Sequence, residues 1–309
     1  MTEIPDFKEK YAGRIEDVSL GKGDYTAGGL DGMPFLSFEN DTKRRPMIAG
    51  EVWDDIADYP EMAKNMFSGR HRDPVEWATM WKELGADAIA LRLTATDPYK
   101  RNESPQEAAA LVQKIADKTQ LPIIVSGCGN AEKDIATLTE VCSTVKNTRL
   151  IISKVDECEY KKLATAAMAN GHVLLGFSNL DVNLAKQMNI LLTDYGMEKK
   201  NLVMDPLMAA LGMGLDYSYS VNERIRIAAL NGDKMLQIPM VCDCTASWDV
   251  NDATCDDDGT LGDPVCRCTL WEAITGLSAM MSGADILIVR GPAAADMLRV
   301  YAEDLTEVL

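Results

Sequence analysis

Met47-Ile48-Ala49-Gly50-Glu51-Val52, running on into Trp53-Asp54-Asp55, is the stretch that decides the fold of this 309-residue chain. It opens as a compact apolar run of the kind made by a strand covered on both faces. A doubly wound nucleotide-binding sheet would follow its first strand with a glycine-rich phosphate loop. Here the run ends in Glu51, Asp54 and Asp55 instead. Carboxylates repel a pyrophosphate, so the reading moves from an open dinucleotide-binding sheet to a closed barrel.

Working outward, seven more runs of this kind follow at residues 88–93, 121–125, 150–155, 172–177, 201–204, 238–242 and 285–289. Helical patterns separate them. Trp77, Met80, Trp81 and Leu84 collect on one face of residues 75–84, and Ala110, Leu111 and Ile115 do the same in 106–116. Further amphipathic runs cover 133–145, 159–169, 181–195, 221–230, 270–282 and 292–305. Eight strand–helix units in about 260 residues predict a (β/α)8 TIM barrel. That domain is assigned to residues 46–309, after an N-terminal β-hairpin extension over 1–45. Gly21, Gly23, Gly28, Gly29 and Gly32 punctuate the extension, and its short runs at 15–20 and 34–38 are read as the hairpin strands. Such a ribbon suits the bottom of a barrel.

Charge and cysteine usage exclude several functions. With 48 acidic against 31 basic residues the net charge is -17, which repels nucleic acid and anionic membranes. No early basic–apolar leader and no apolar run of roughly 20 residues is seen, so a soluble cytoplasmic protein is expected. The eight cysteines then read as reduced thiols rather than a disulfide framework.

A TIM barrel takes its working groups from the carboxyl ends of its strands. This nominates Glu51, residues 94–97, 126–130, Asp156, 178–181, 205–217, 243–263 and 290–292. In Ser126-Gly127-Cys128-Gly129-Asn130 two glycines let backbone approach a ligand, although a tight turn would need them too. Only His71 and His172 supply imidazoles, and His172 opens a strand, so Cys128 is a poor candidate nucleophile. The loop from Asp205 through Gly212, Met213 and Gly214 to Ser218 is apolar and glycine-spaced, which suits a large flat ligand or a protein surface. Cys242, Cys244, Cys255, Cys266 and Cys268 crowd the next loop. Their C-x-C spacing is not the two-residue gap of common zinc or iron–sulfur sites, so free thiols are expected.

At this point the residues resemble a family. Residues 46–52, Gly85-Ala86-Asp87, Val125 to Gly129 with Glu132-Lys133-Asp134, and residues 181–191 are similar to the small subunit of the corrinoid iron–sulfur protein. So are Met204-Asp205-Pro206, Leu211-Gly212-Met213-Gly214 with Tyr217 to Ser220, Glu223-Arg224-Ile225-Arg226, residues 232–236 and Leu270-Trp271-Glu272-Ala273. This is the delta subunit of the acetyl-CoA decarbonylase/synthase system of the Wood–Ljungdahl pathway. The cysteine-rich stretch departs from the family's pattern.

The resemblance implies a TIM barrel in a heterodimer with a large subunit that carries a 4Fe-4S cluster and most contacts to a corrinoid (cobalamin) at the interface. It also implies transient meetings with a methyltetrahydrofolate methyltransferase and with acetyl-CoA synthase, between which the corrinoid carries a methyl group. No catalytic or metal-binding residues are assigned to this chain. The corrin-facing surface is placed on Ser126, Gly127, Cys128, Gly129, Asp205, Gly212, Met213 and Gly214. The competing reading is an autonomous pterin-dependent methyltransferase barrel using Asp97, Asn130, Asn179 and Asp205.

Overall fold

The computed structural model describes residues 10–33, 44–158, 160–255 and 259–307. After the hairpin strands β1 (Asp17–Leu20) and β2 (Tyr25–Gly28) come β3 (Met47–Trp53), β4 (Ala88–Arg92), β5 (Ile123–Ser126), β6 (Ile151–Val155), β7 (Val173–Phe177), β8 (Leu202–Asp205), β9 (Val241–Asp243) and β10 (Ile286–Val289). Helices α1 (Glu61–Lys64), α2 (Pro74–Glu83), α3 (Pro105–Thr119), α4 (Ala131–Thr144), α5 (Tyr160–Asn170), α6 (Val182–Asp194), α7 (Leu215–Leu230), α8 (Asn251–Thr254), α9 (Pro264–Ser282) and α10 (Pro292–Glu307) alternate with them. Each of the eight apolar runs read from the sequence is a barrel strand.

The helix starts follow from local chemistry. Asp73 caps α2 through the Val75 and Glu76 amides and Pro74 opens the helix, while Ser104 and Glu107 form a reciprocal capping box on α3. Asn130, Asp181 and Asp263 cap α4, α6 and α9 in the same way.

Strands β3 to β10 pair in parallel, and the ring closes between β8 and β9 through a Met204–Met240 bridge. Alternation along each strand divides the core in two. Small and β-branched side chains such as Ala49, Ala88, Ala90, Ile124, Val203 and Ile286 fill the barrel interior. Ile48, Ile89, Leu91, Ile152 and Leu287 face outward to the helices. Gly50 belongs to the outward set because a Cβ there would lie 2.1 Å from Trp81 Cδ2.

The hairpin seals the amino-terminal end of the barrel. Val18, Leu20 and Ala27 are buried in the interior cluster, and Gly21 bridges to Arg149, just ahead of β6. Arg149 donates to the Ser19 carbonyl at 2.6 Å and to the Gly171 carbonyl at 3.0 Å, tying the plug to two strand starts. The partner of β1 is Tyr25–Gly28, and the run read at 34–38 lies outside the described residues. Gly21 and Gly23, at φ of 62° and 99°, turn the chain within a few residues of Leu20, so the next segment pairs back at once.

Candidate functional site

The same alternation that fills the barrel with apolar groups brings charged ones inward at its carboxyl end. Glu51 is fully buried and shared by two arginines: Arg92 Nε lies 2.6 Å from its Oε1 and Arg290 Nε 2.7 Å from its Oε2. Arg92 reaches on to Asp243 at 2.6 Å and to the Thr245 hydroxyl at 3.0 Å. Burial opposes the charge on Glu51 and on Asp243, but the guanidiniums outweigh it and hold both carboxyls below their ordinary range. The two carboxylates and two guanidiniums balance, and they link β3, β4 and β9 to the residue after β10.

Behind Arg290 stands Glu272 of α9. It accepts from the Arg290 amide at 2.6 Å, the Gly291 amide at 2.8 Å and Trp248 Nε1 at 2.9 Å. Complete burial nevertheless pushes its carboxyl up to about 7.

Next to this closed network the mouth holds a cavity of about 370 Å³. Ala90, Ile124, Leu175 and Ile288 give it an apolar floor, and Arg92, Ser126, Ser153, Lys154, Asp205 and Asp243 a polar wall. The Lys154 ammonium sits 3.5 Å from the centroid of the Phe177 ring. Asp205 Oδ1 accepts from the Leu207 amide at 2.8 Å. Burial pushes the Asp205 carboxyl up to about 6, against the pull of Lys154. Asp54, on the loop after β3, is likewise raised to about 6 by burial, although Thr94 Oγ1 and the Ala95 amide donate to it at 2.9 and 2.8 Å.

Comparison with known proteins matches the family model of the CO dehydrogenase/acetyl-CoA synthase delta subunit over residues 17–303. The chain belongs to this delta-subunit family. The acetyl-CoA decarbonylase/synthase complex subunit delta of Archaeoglobus fulgidus is 33% identical, across 95% of this chain and 69% of its own length. Its counterpart in Methanothermobacter thermautotrophicus is also 33% identical, across 96% and 77%. Among solved structures, dihydropteroate synthase from Xanthomonas albilineans with 4-aminobenzoic acid superposes with a TM-score of 0.60 at 15% identity, covering 90% of this chain and 100% of that one. The enzyme from Stenotrophomonas maltophilia gives 0.58 at 16%, with the same coverage. At that identity the likeness is one of fold.

Within this delta-subunit barrel the eight candidate residues separate into two places. Ser126, Gly127, Cys128, Gly129 and Asp205 line the mouth cavity together. Gly212 and Gly214 line a second cavity, of about 640 Å³, on the outer side where α7 meets α9, and Met213 is 66% exposed. Gly127 is required by a neighbour: a Cβ there would lie 2.1 Å from Asp134 Oδ1, and Asp134 accepts from the Cys128 and Gly129 amides at 2.8 and 2.9 Å. The Cys128 thiol donates to the same carboxylate at 3.2 Å, and burial raises its pKa.

Of the four residues of the pterin reading, Asp205 lines the mouth cavity and Asp97, Asn130 and Asn179 do not. Cys242, Cys244 and Cys268 are buried, Cys255 is half-buried and Cys266 exposed. Among the described residues no three His, Cys, Asp or Glu side chains converge as a metal set. No described helix is long and apolar enough to cross a membrane. Sequence reasoning missed Arg92 and Lys154, because both fall inside runs read as apolar strands. A cation one position short of the end of each run, 88–93 and 150–155, was the signal available.

Proposed function

We propose that this chain is the corrinoid-sheltering small subunit of a heterodimeric corrinoid iron–sulfur protein in the cytoplasm of an anaerobe. Its large partner would carry the 4Fe-4S cluster and most corrin contacts. The pair would relay a methyl group from methyltetrahydrofolate, by way of a methyltransferase, to acetyl-CoA synthase in the Wood–Ljungdahl pathway. When bound, the corrinoid supplies the methyl-carrying chemistry at its cobalt.

The observation that carries this reading is the open mouth cavity in a member of the delta-subunit family. At about 370 Å³ it lies low in the ~300–1,000 Å³ range of small-molecule sites. It cannot engulf a corrin macrocycle, but it fits beneath one. The apolar floor suits the ring edge. Ser126, Lys154 and Asp205 provide the donors and acceptors that neutral amide side chains on a corrin rim require. Glu51 and Asp243 neutralise Arg92, and the Asp205 carboxylate stands against Lys154, so the wall carries no large excess of positive charge to draw in stray anions. On this reading Ser126, Gly127, Cys128, Gly129 and Asp205 face the cofactor and keep water from it. Gly212, Met213 and Gly214 stand on the adjoining loop.

The test is anaerobic purification of the chain alone and with a corrinoid-carrying large subunit, recording stoichiometry and visible spectrum. A colourless, metal-free chain that forms a one-to-one complex with a corrinoid spectrum is the expected result. Failure to form the complex, or tight binding of methyltetrahydrofolate by the isolated chain, would replace this reading with that of the pterin-dependent methyltransferase.

A further inference from the structure

Six of the eleven large hydrophobic side chains exposed among the described residues lie on α7, α9 or the loops leading into them: Met213, Tyr217, Ile227, Leu261, Leu270 and Ile274. Four of these gather at one feature. Met213 and Tyr217, 66% and 68% exposed, flank the start of α7. Leu270 and Ile274 precede Ser278 at four-residue spacing, so all three share one face of α9. Between the two helices runs the groove of about 640 Å³, with Leu211, Leu215 and Tyr219 as its apolar lining and Asp216 and Glu223 among its polar groups. Neither carboxylate takes part in an ion pair among the described residues. Exposed apolar area of this kind marks an interaction surface.

We propose that this groove docks a basic segment of a different polypeptide, which inserts an apolar side chain against Leu211, Leu215 and Tyr219 and sets Lys or Arg against Asp216 and Glu223. The charges select the occupant. A second copy of this chain would bring another net charge of -17 to an already acidic face, so self-association is disfavoured. A basic segment gains steering from the overall field and two carboxylates to pair with.

The groove also communicates with the mouth along one loop. Asp205 lines the mouth cavity and holds the Leu207 amide, the Ala209 amide donates to Ser218 Oγ of α7 at 2.8 Å, and the Leu211 amide donates to Thr275 Oγ1 of α9 at 3.1 Å. A chain seated in the groove would therefore bear on the loop that begins at Asp205. The inference rests on the sheltering-subunit reading in one respect, that a partner polypeptide exists.

The experiment uses the anaerobically purified complex with the corrinoid-bearing subunit. Zero-length carbodiimide coupling should join Asp216 or Glu223 to a lysine of the partner. Asp216→Lys combined with Glu223→Lys should weaken binding at least tenfold and flatten its salt dependence, and Ile274→Asp alone should weaken it at least fivefold. Circular dichroism and thermal midpoint serve as the fold check, and Leu84→Asp, far from the groove at the end of α2, should bind as the wild type does. If both groove variants bind within twofold of the wild type and keep its salt response, or if coupling joins the groove only to a second copy of this chain, the docking assignment is overturned while the sheltering reading stands. A wild-type chain that binds no corrinoid-bearing partner overturns both.

Discussion

Glu51 is a single carboxylate on which four strand ends depend. Its two oxygens hold Arg92 and Arg290, and Arg92 in turn holds Asp243. Replacing Glu51 by Gln leaves two guanidiniums at the mouth with half their counter-charge, and breaking a buried pair from one side typically costs about 3–5 kcal/mol. We expect Glu51→Gln to lower stability by that amount in urea unfolding; a loss under about 1 kcal/mol would show that solvent reaches the arginines and screens them. Gly127 and Asp134 make a second residue-scale case. A methyl at Gly127 must displace the carboxylate that clamps the Cys128 and Gly129 amides. Gly127→Ala should cost about 1–3 kcal/mol as overpacking does. In an Asp134→Ala background the same change should cost at least about 1 kcal/mol less, a coupling read from a double-mutant cycle. Simple additivity would mean that the loop is held by something other than this clamp.

At the scale of elements, what the sequence revealed depends on where the specifying force lies. The eight barrel strands are covered on both faces, so their burial is written directly into continuous apolar runs. The hairpin is different. Its pairing is set by the turn at Gly21 and Gly23, while β2, Tyr25-Thr26-Ala27-Gly28, is only four residues long and ends in Ala-Gly, too short for its Tyr and Thr to read as a run. Arg92 and Lys154 were hidden for a related reason: charges inside an apolar run read as interruptions. Alternation turns Arg92 inward with Ala88 and Ala90, whereas Lys154 reaches the cavity because the register shifts between Ser153 and Val155, which the sequence does not announce. The loop from Asp205 to Gly214 read as one site, yet Asp205 ends β8 pointing inward while Gly214 begins α7 on the outside. The plug leads to an element-scale prediction. Leu20 is fully buried inside the barrel. Leu20→Ala should cost about 2–5 kcal/mol and leave a cavity at the barrel bottom. Calorimetry checks it, and a loss well below that range would mean that the hairpin only rests on the barrel.

At the scale of the whole molecule the buried carboxylates pull stability in opposite directions with pH. Glu51 and Asp243 have folded pKa values below their ordinary range, so the stability they give is present at neutral pH and is lost as pH falls below about 4. Asp54 and Asp205, raised by burial to about 6, and Glu272, raised to about 7, behave the other way. Between their unfolded and folded values the native state holds protons that the unfolded chain has released, so stability falls as pH climbs through that window. The net charge of -17 at pH 7 adds self-repulsion of the same sign. The thermal midpoint should therefore be highest near pH 5 and decline toward pH 8. Glu272 is one of three contributors of this size: a rise from 4.5 to about 7 corresponds to about 3 kcal/mol. Glu272→Gln keeps one acceptor for the turn at Arg290 and Gly291 but has no proton to lose in this range. Its midpoint should thus fall less steeply than the wild type's between pH 5 and 8, and the two curves should diverge most above pH 7. Parallel curves would locate the decline in surface repulsion instead, and added salt, which screens exposed charges far better than buried ones, would then abolish it.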